Sequence, residues 1–236
     1  MIFAVSDIHG YRTRFWKLMK KIGFSENDEL YIVGDIIDRG RDNGLKLLME
    51  LKEMPNVHVI AGNHEYVALM SLHYLMTTPI TKDTSLSELD EEKLYDLLLW
   101  QNDGGQSTLD EFHRMSYEKR LEVVNFLGEL PLYAEVSCGG KEYVLVHAGL
   151  ENFDEERPLD DYDPYEMLAL HNTDYSRVYF PDKYLVTGHL PTRFIEDNPR
   201  PDCIYRANNH IAINCGSGLG GRLGAICLDT GEEFYV

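Results

Sequence analysis

The sequence predicts an α/β fold in which parallel strands deliver side chains to one edge of a sheet. Three short apolar runs, Ile2–Val5, Leu30–Val33 and Val57–Ala61, alternate with stretches of helical periodicity. β-branched runs this short, bounded by Gly or Asp, suit strands covered on both faces. Strands that alternate with helices predict right-handed βαβ crossovers. The polar segments that end the runs are evenly spaced, with Asp7, Asp35 and Asn63 each 28 residues apart.

Taken in order, the first run enters Ser6-Asp7-Ile8-His9-Gly10, and Arg14–Ile22 follows as a helix with Phe15, Trp16, Leu18, Met19 and Ile22 on its apolar face. The second run enters Gly34-Asp35-Ile36-Ile37-Asp38-Arg39-Gly40, and Leu45–Leu51 reads as the next helix. The third enters Gly62-Asn63-His64-Glu65 and a helix that ends near Leu75. Between about Thr77 and Leu130 the pattern turns helical, over Ser87–Trp100 and Met115–Leu130, with Asn102-Asp103-Gly104-Gly105 as a break. No linker-like stretch bounds this part, so residues 1–236 are expected to form one domain with a helical insertion over about 77–130.

After Pro131 the chain becomes β-rich. Strands are expected over Leu132–Val136, Tyr143–Val146, Tyr184–Thr187, Cys203–Ala207, Ile211–Asn214, Leu223–Leu228 and Glu233–Val236. Gly139-Gly140 joins the first two as a hairpin. Glu151–Pro164 is acidic and contains proline, which predicts a surface loop. Two of these strands run into histidines, Val144–Val146 into His147 and Leu185–Thr187 into His189, making five strand ends with candidate ligands. Ligands of open α/β sheets bind beyond the carboxyl ends of the strands. Carboxylate, amide oxygen and imidazole together suit a divalent manganese, iron or zinc ion.

The composition narrows the partners. The 236 residues suffice for a substantial core, and 44% are hydrophobic, as in ordinary soluble proteins. A formal net charge of −18 opposes non-specific binding to nucleic acid and to anionic membranes. Any phosphate site must reverse that sign locally, as bound metal ions do. Cys138, Cys203, Cys215 and Cys227 show no Cys-x-x-Cys spacing, which predicts free thiols in a reducing compartment. With no signal-peptide pattern and no apolar run near about 18 residues, a cytoplasmic location is expected.

These blocks resemble the calcineurin-like metallophosphoesterases, and within them the phosphoprotein phosphatase branch. The resemblance rests on Asp7-Ile8-His9-Gly10, Gly34–Gly40, Gly62–Glu65, His147 and His189 in that order, and runs to about residue 220. Gly104-Gly105 with Thr108, and Leu130-Pro131-Leu132-Tyr133, are similar to segments of small bacterial members, which include serine/threonine phosphatases and symmetrical diadenosine tetraphosphatases. The resemblance implies a sandwich of two mixed β-sheets flanked by helices. It also implies two divalent metal ions, manganese foremost and iron or zinc as alternatives. Asp7, His9 and His189 would hold one ion, Asn63 and His147 the other, and Asp35 would bridge. Two ions about 3.5–4 Å apart clamp a phosphoryl group and activate a water for in-line attack.

By the same resemblance His64 would protonate the leaving oxygen, oriented by Asp38, because an imidazolium held by a carboxylate can supply the proton an alkoxide needs. Arg39 would grip two phosphate oxygens with a bidentate guanidinium. The family's second phosphate-binding arginine has no counterpart in Leu168–Asp174, where Arg177 and Arg206 stand as substitutes and His171 as a second proton donor. The implied function is phosphomonoester hydrolysis by metal-bound hydroxide without a phosphoenzyme, on phosphoserine and phosphothreonine of proteins or on a small phosphorylated substrate. Diadenosine tetraphosphate hydrolysis is the alternative, for which Tyr11, Tyr66, Trp100 and Tyr175 are candidates to stack on adenine. A metal-binding scaffold without turnover is a third reading, whose expected mark is a broken ligand set; every matched ligand is present. Asn214–Gly218 reads as a structural turn, and His58, His73, His113 and His210 as ordinary helix or surface residues.

Overall fold

The computed structural model describes residues 1–78, 89–169 and 173–236. Its strands are β1 (Ile2–Val5), β2 (Glu29–Val33), β3 (Val57–Ile60), β4 (Tyr133–Cys138), β5 (Lys141–Val146), β6 (Lys183–Thr187), β7 (Tyr205–Ala207), β8 (His210–Ala212), β9 (Gly224–Cys227) and β10 (Glu233–Tyr235). They form two mixed five-stranded sheets, β10-β9-β1-β2-β3 and β4-β5-β6-β8-β7. The three evenly spaced runs pair in parallel, with Ile2 opposite Glu29 and Leu30 opposite Val57. β5, β6 and β8 are parallel as well, and antiparallel β4, β7, β9 and β10 complete the two sheets. Gly139 and Gly140 both take positive φ in the β4–β5 hairpin, which is what a two-residue type I′ turn requires.

The period-2 pattern of the strands sorts residues into different cores. Phe3, Val5, Leu30, Ile32 and Val59 face the helices, whereas Ala4, Val33, Ile60 and Ile226 meet Leu145, Val186 and Ile211 of the facing sheet. The outer face of the second sheet buries Val144, Val146 and Leu185 against Leu150, Tyr162, Met167 and Tyr179. This layering fixes the two sheets, and therefore their strand ends, against each other.

The helices are α1 (Arg12–Ile22), α2 (Gly44–Lys52), α3 (Asn63–Thr77), α4 (Glu91–Trp100), α5 (Gln106–His113), α6 (Tyr117–Glu129) and α7 (Pro164–Leu168). Phe15, Leu18 and Met19 bury one face of α1, and Gly23 ends it in the left-handed conformation. The Asp90 carboxylate caps α4 by accepting the Lys93 N–H, and Ser116 caps α6 at Lys119. α4 starts at Glu91 among the described residues, and the predicted start at Ser87 lies outside them.

Two helices depart from the sequence reading. Asn102–Gly105 does interrupt the helical run, with Gly104 non-helical at φ 108, and what the sequence reading lacks is the separate helix α5 that starts at Gln106 and buries Thr108, Leu109 and Phe112. Gly104 supplies the positive φ that this kink between α4 and α5 requires. In the predicted acidic loop, Asp163 and Glu166 form a capping box with Pro164 at the first helical position, so α7 forms and buries Met167 and Leu168. The four cysteines are unpaired, three of them buried and Cys138 partly so. Among the described residues no helix is long and apolar enough to cross a membrane.

Candidate metal centre

The carboxyl ends of β1, β2, β3, β5 and β6 meet at one place. Asp7 and His9 follow β1, Asp35 follows β2, Asn63 and His64 open α3 just after β3, His147 follows β5 and His189 follows β6. Turning so sharply off a strand demands unusual backbone. Of the eleven described non-glycine residues with positive φ, six are Asp7, His9, Asp35, Asp38, Arg39 and His189. Such conformations are costly outside glycine and gather where a surrounding structure enforces them, often at functional sites.

Lone pairs converge here. His147 Nδ1 lies 2.9 Å from the Val33 carbonyl and His9 Nδ1 lies 3.3 Å from the Ile37 carbonyl, so each ring spends its Nδ1–H on backbone. In its neutral form each ring then turns its Nε2 lone pair inward, a tautomer assigned from these partners. His147 Nε2 points at Asn63 Oδ1 at 2.9 Å and Asp35 Oδ2 at 3.4 Å. His9 Nε2 points at Asp35 Oδ2 at 3.6 Å and Asp7 Oδ1 at 3.9 Å. Acceptor facing acceptor is unfavourable unless a cation or proton sits between, and oxygen with imidazole is a donor set for divalent metals. Outer N–H groups anchored on carbonyls are how metal-ligating histidines are oriented. The residues present therefore fit metal ions.

Asp35 lies between two groups, with Oδ2 facing both His9 and His147. His189 belongs with the second group. Its Nδ1 is 3.0 Å from Asn63 Oδ1, and its ligand atom clusters with those of Asp35 and His147. The ring therefore lies on the Asn63 side, whereas the resemblance grouped His189 with Asp7 and His9. Asp7 Oδ2 takes the backbone N–H of His189 at 3.1 Å instead, which leaves the ring on the Asn63 side.

Two further residues build the frame. Glu65 accepts four backbone N–H groups, from Asp35 (2.7 Å), Ile36 (2.8 Å), Ile37 (3.2 Å) and Gly62 (2.9 Å), tying the β2 and β3 ends together. Asn214, read from sequence as part of a structural turn, donates through Nδ2 to Asp7 Oδ1 at 2.8 Å and to the His189 carbonyl at 2.7 Å.

His64 points its two ring nitrogens differently. Nδ1 meets Asp38 Oδ2 at 2.6 Å, while Nε2 faces Arg39 Nη2 at 3.1 Å, Asp103 Oδ2 at 3.5 Å and Asp35 Oδ2 at 4.0 Å. Asp38 is fixed from the far side by the Trp100 indole N–H (2.7 Å to Oδ2) and the Thr108 hydroxyl (2.5 Å to Oδ1). Trp100 is thus buried and spent on Asp38, not available to stack on a ligand. Arg39 Nη1 lies 3.0 Å from His9 Nε2, and its Nη2 pairs with Asp103 Oδ1 at 3.1 Å.

The electrostatics follow from burial. Burial, then the Asp35 carboxylate, pushes Asp7 up to about 7. Burial opposes charge on Asp35 too, but the His147 and His64 imidazoles outweigh it and hold Asp35 well below its usual range. Burial lowers His9 to about 3. For His64 and His147 burial acts downward but carboxylates win, Asp35 first in both, and they rise to about 9 and about 10. Positive charge is wanted at His147 and beside Asp35, the place where the lone pairs converge.

Neither predicted arginine substitute faces this centre. Arg206 is an edge-strand residue paired with Glu233 at 2.8 Å and the Gly231 carbonyl at 2.6 Å. Arg177 stacks on Phe153 and Tyr179 and donates to the Phe153 carbonyl. Arg14 comes nearer, donating to Ser217 and to the Gly221 carbonyl in the turn whose Gly218 packs on the His9 ring. His171 lies outside the described residues. Tyr175 is ruled out for ligand stacking, being packed on His210, itself buried in the core rather than at the surface as its lack of motif suggested. Tyr11 sits beneath the Arg14 guanidinium and Tyr66 meets the Tyr165 ring.

Residues 1–213 match the family described as calcineurin-like phosphoesterase. A symmetrical bis(5'-nucleosyl)-tetraphosphatase of Acidovorax sp. is 29% identical over 63% of the chain, a match that spans only 44% of that relative's length. Serine/threonine-protein phosphatase 1 of Salmonella typhimurium is 28% identical over 94% of the chain and 89% of its own length. A crystal structure solved as a candidate diadenosine tetraphosphatase superposes with a TM-score of 0.65 over 100% of the chain and 92% of its own; at 19% identity it speaks to the fold.

Proposed function

The chain belongs to the calcineurin-like phosphoesterase family, and from that premise we propose a dinuclear metal-dependent phosphomonoester hydrolase acting on phosphoserine and phosphothreonine of proteins. The observation that carries this reading is the buried His64–Asp38 pair, joined at 2.6 Å with His64 Nε2 turned toward the convergent ligands. A serine or threonine alkoxide is a poor leaving group and gains most from a positioned acid. A nucleoside phosphate leaves as a stabilised anion and gains less.

In this reading Asp7, His9 and Asp35 would hold one ion, and Asp35, Asn63, His147 and His189 would hold the other, manganese first and iron or zinc as alternatives. Such ions supply Lewis acidity and an activated water when bound. Arg39 moves off His9 and His64 to take two phosphate oxygens, a geometry its planar fork suits. As the phosphorus–oxygen bond breaks, its electron pair stays on the leaving oxygen and His64 Nε2 delivers the proton, while Asp38 steadies the ring. The chain works as one domain over 1–236, with the helical stretch near 77–130 as an insertion. The net charge of −18 disfavours nucleic acid or membrane, and a phosphorylated protein or small phosphorylated substrate needs the sign reversed locally, which Arg39 and bound ions would do.

A second reading, cleavage of diadenosine tetraphosphate, draws on the name of the Acidovorax relative and on the Tyr66–Tyr165 pair, 5.8 Å between rings, as an aromatic surface for adenine. The deciding experiment compares kcat/KM of the manganese-loaded protein on a phosphothreonine peptide and on diadenosine tetraphosphate, with Asp35→Asn as control. The expected result is at least a tenfold preference for the peptide, lost in the variant. The reverse preference selects the second reading, and activity on neither refutes both.

A further inference from the structure

Among the described residues, the helical stretch between α3 and β4 meets the His64–Asp38–Arg39 group through one short block, Trp100, Asp103, Gly104, Gly105 and Thr108. Trp100 and Thr108 supply the two donors that hold the Asp38 carboxylate opposite His64. The Thr108 hydroxyl is used twice, since it also accepts the Asp38 backbone N–H at 3.1 Å. Asp38 and Thr108 are almost entirely inaccessible, at 1% and 2% exposure. The two glycines let the block approach. A side chain on Gly105 would collide with the Trp100 indole, and one on Gly104 with Arg39, whose N–H donates to the Gly104 carbonyl at 3.0 Å.

We infer that Trp100 and Thr108 are positioning residues for leaving-group protonation: by clamping the Asp38 carboxylate they hold the His64 ring with Nε2 aimed at the leaving oxygen. This rests on the phosphohydrolase reading above and adds a role for the helical stretch that the ligand-bearing strands cannot fill. A free carboxylate rotates about its terminal torsion, which is broad and weakly restrained. Fixing it from two directions leaves a single geometry for the shared His64 contact. A group that orients an acid matters in proportion to how badly the leaving oxygen needs a proton. Its loss should therefore be read in the ratio of rates on alkyl and activated aryl phosphates, not in total activity.

The test measures kcat and KM on a phosphothreonine peptide and on 4-nitrophenyl phosphate for the manganese-loaded wild type, Trp100→Phe, Thr108→Val and Thr108→Ser. In parallel, the hydrogen-bonded His64 Nδ1 proton is observed by NMR in the metal-free proteins. Trp100→Phe keeps a ring against Gly105, and Thr108→Ser keeps the hydroxyl. The expected outcome is an alkyl-to-aryl kcat ratio lowered at least tenfold in Trp100→Phe and Thr108→Val, with KM changed less than threefold and the ratio restored in Thr108→Ser. The Nδ1 proton should shift or broaden in the first two variants alone. Equal losses on both substrates, or an unmoved ratio with an unmoved Nδ1 signal, would overturn the inference while leaving the phosphohydrolase reading intact. A wild type inactive on both substrates would refute the reading itself, and an unmoved Nδ1 signal would still count separately against the clamp.

Discussion

Replacing Glu65 by glutamine should unfold the site's frame out of proportion to a one-atom change. The carboxylate accepts four buried N–H groups, two on each oxygen: Ile36 and Ile37 on Oε1, Asp35 and Gly62 on Oε2. In Glu65→Gln one oxygen becomes an NH2 group, so whichever way the amide sits, two backbone donors face a donor. Each stranded donor costs about 1–3 kcal/mol, which sums to about 2–6 kcal/mol. Burial and the Asp35 carboxylate both push the Glu65 pKa up, so removing its charge relieves some repulsion. A net loss of about 2–4 kcal/mol remains, a large part of the roughly 5–15 kcal/mol that holds a typical domain together. Urea unfolding of the metal-free protein reads this as a lower midpoint at unchanged slope. A loss below about 0.5 kcal/mol would mean that Glu65 is a neutral acid in the native protein. The geometry disfavours that form, because a carboxyl proton would have to point at one of the same four donors.

Three other outcomes follow from the same contacts. Asn214→Leu removes the donor shared by Asp7 and the His189 carbonyl, and manganese affinity should fall about 10–100-fold with the fold retained; a titration showing less than a twofold change would refute this role. His210 is buried beneath Tyr175 with Nε2 on Thr187, and burial lowers it to about 3. The unfolded chain takes up a proton near pH 6.5 that the folded chain refuses, so stability should fall by up to about 1.4 kcal/mol per unit as pH drops below that value. The His210→Gln variant should show a shallower slope in metal-free urea titrations between pH 7 and 5, and identical slopes would contradict the assignment. In the same variant series, Asp38→Asn should lower kcat on alkyl phosphates more than on aryl phosphates, because it removes the acceptor that steadies His64.

Much of the site was legible because each chemistry-bearing segment directly follows the strand that carries it. Asp7, Asp35, Asn63, His147 and His189 needed only the apolar runs before them and the rule that ligands gather at carboxyl strand ends. The residues that hold those groups were not legible. Asn214 reaches Asp7 across 207 positions and Trp100 reaches Asp38 across 62, and no local pattern marks either contact. Trp100 looked like a candidate for stacking because exposure cannot be read from one residue. The direction of the His189 ring, toward Asn63, follows a backbone N–H donated to Asp7, a contact no local pattern marks. The glycine pair at 104–105 marks a break that the structure has at Gly104, but no local signal told that Leu109 and Phe112 would pack a further helix directly after it. The capping box at Asp163–Glu166, by contrast, is written in the sequence at the point where the acidic stretch Glu151–Pro164 ends.

The account stands on two cation sites sharing Asp35. A crystal structure of the manganese-loaded protein, with anomalous scattering used to locate the metal, tests it most directly. The predicted result is two peaks per chain about 3.5–4 Å apart, one contacted by Asp7 and His9, the other by Asn63, His147 and His189, with Asp35 touching both. A single peak, or a metal held by His64 Nε2, would contradict the dinuclear centre and the role of His64 as the acid.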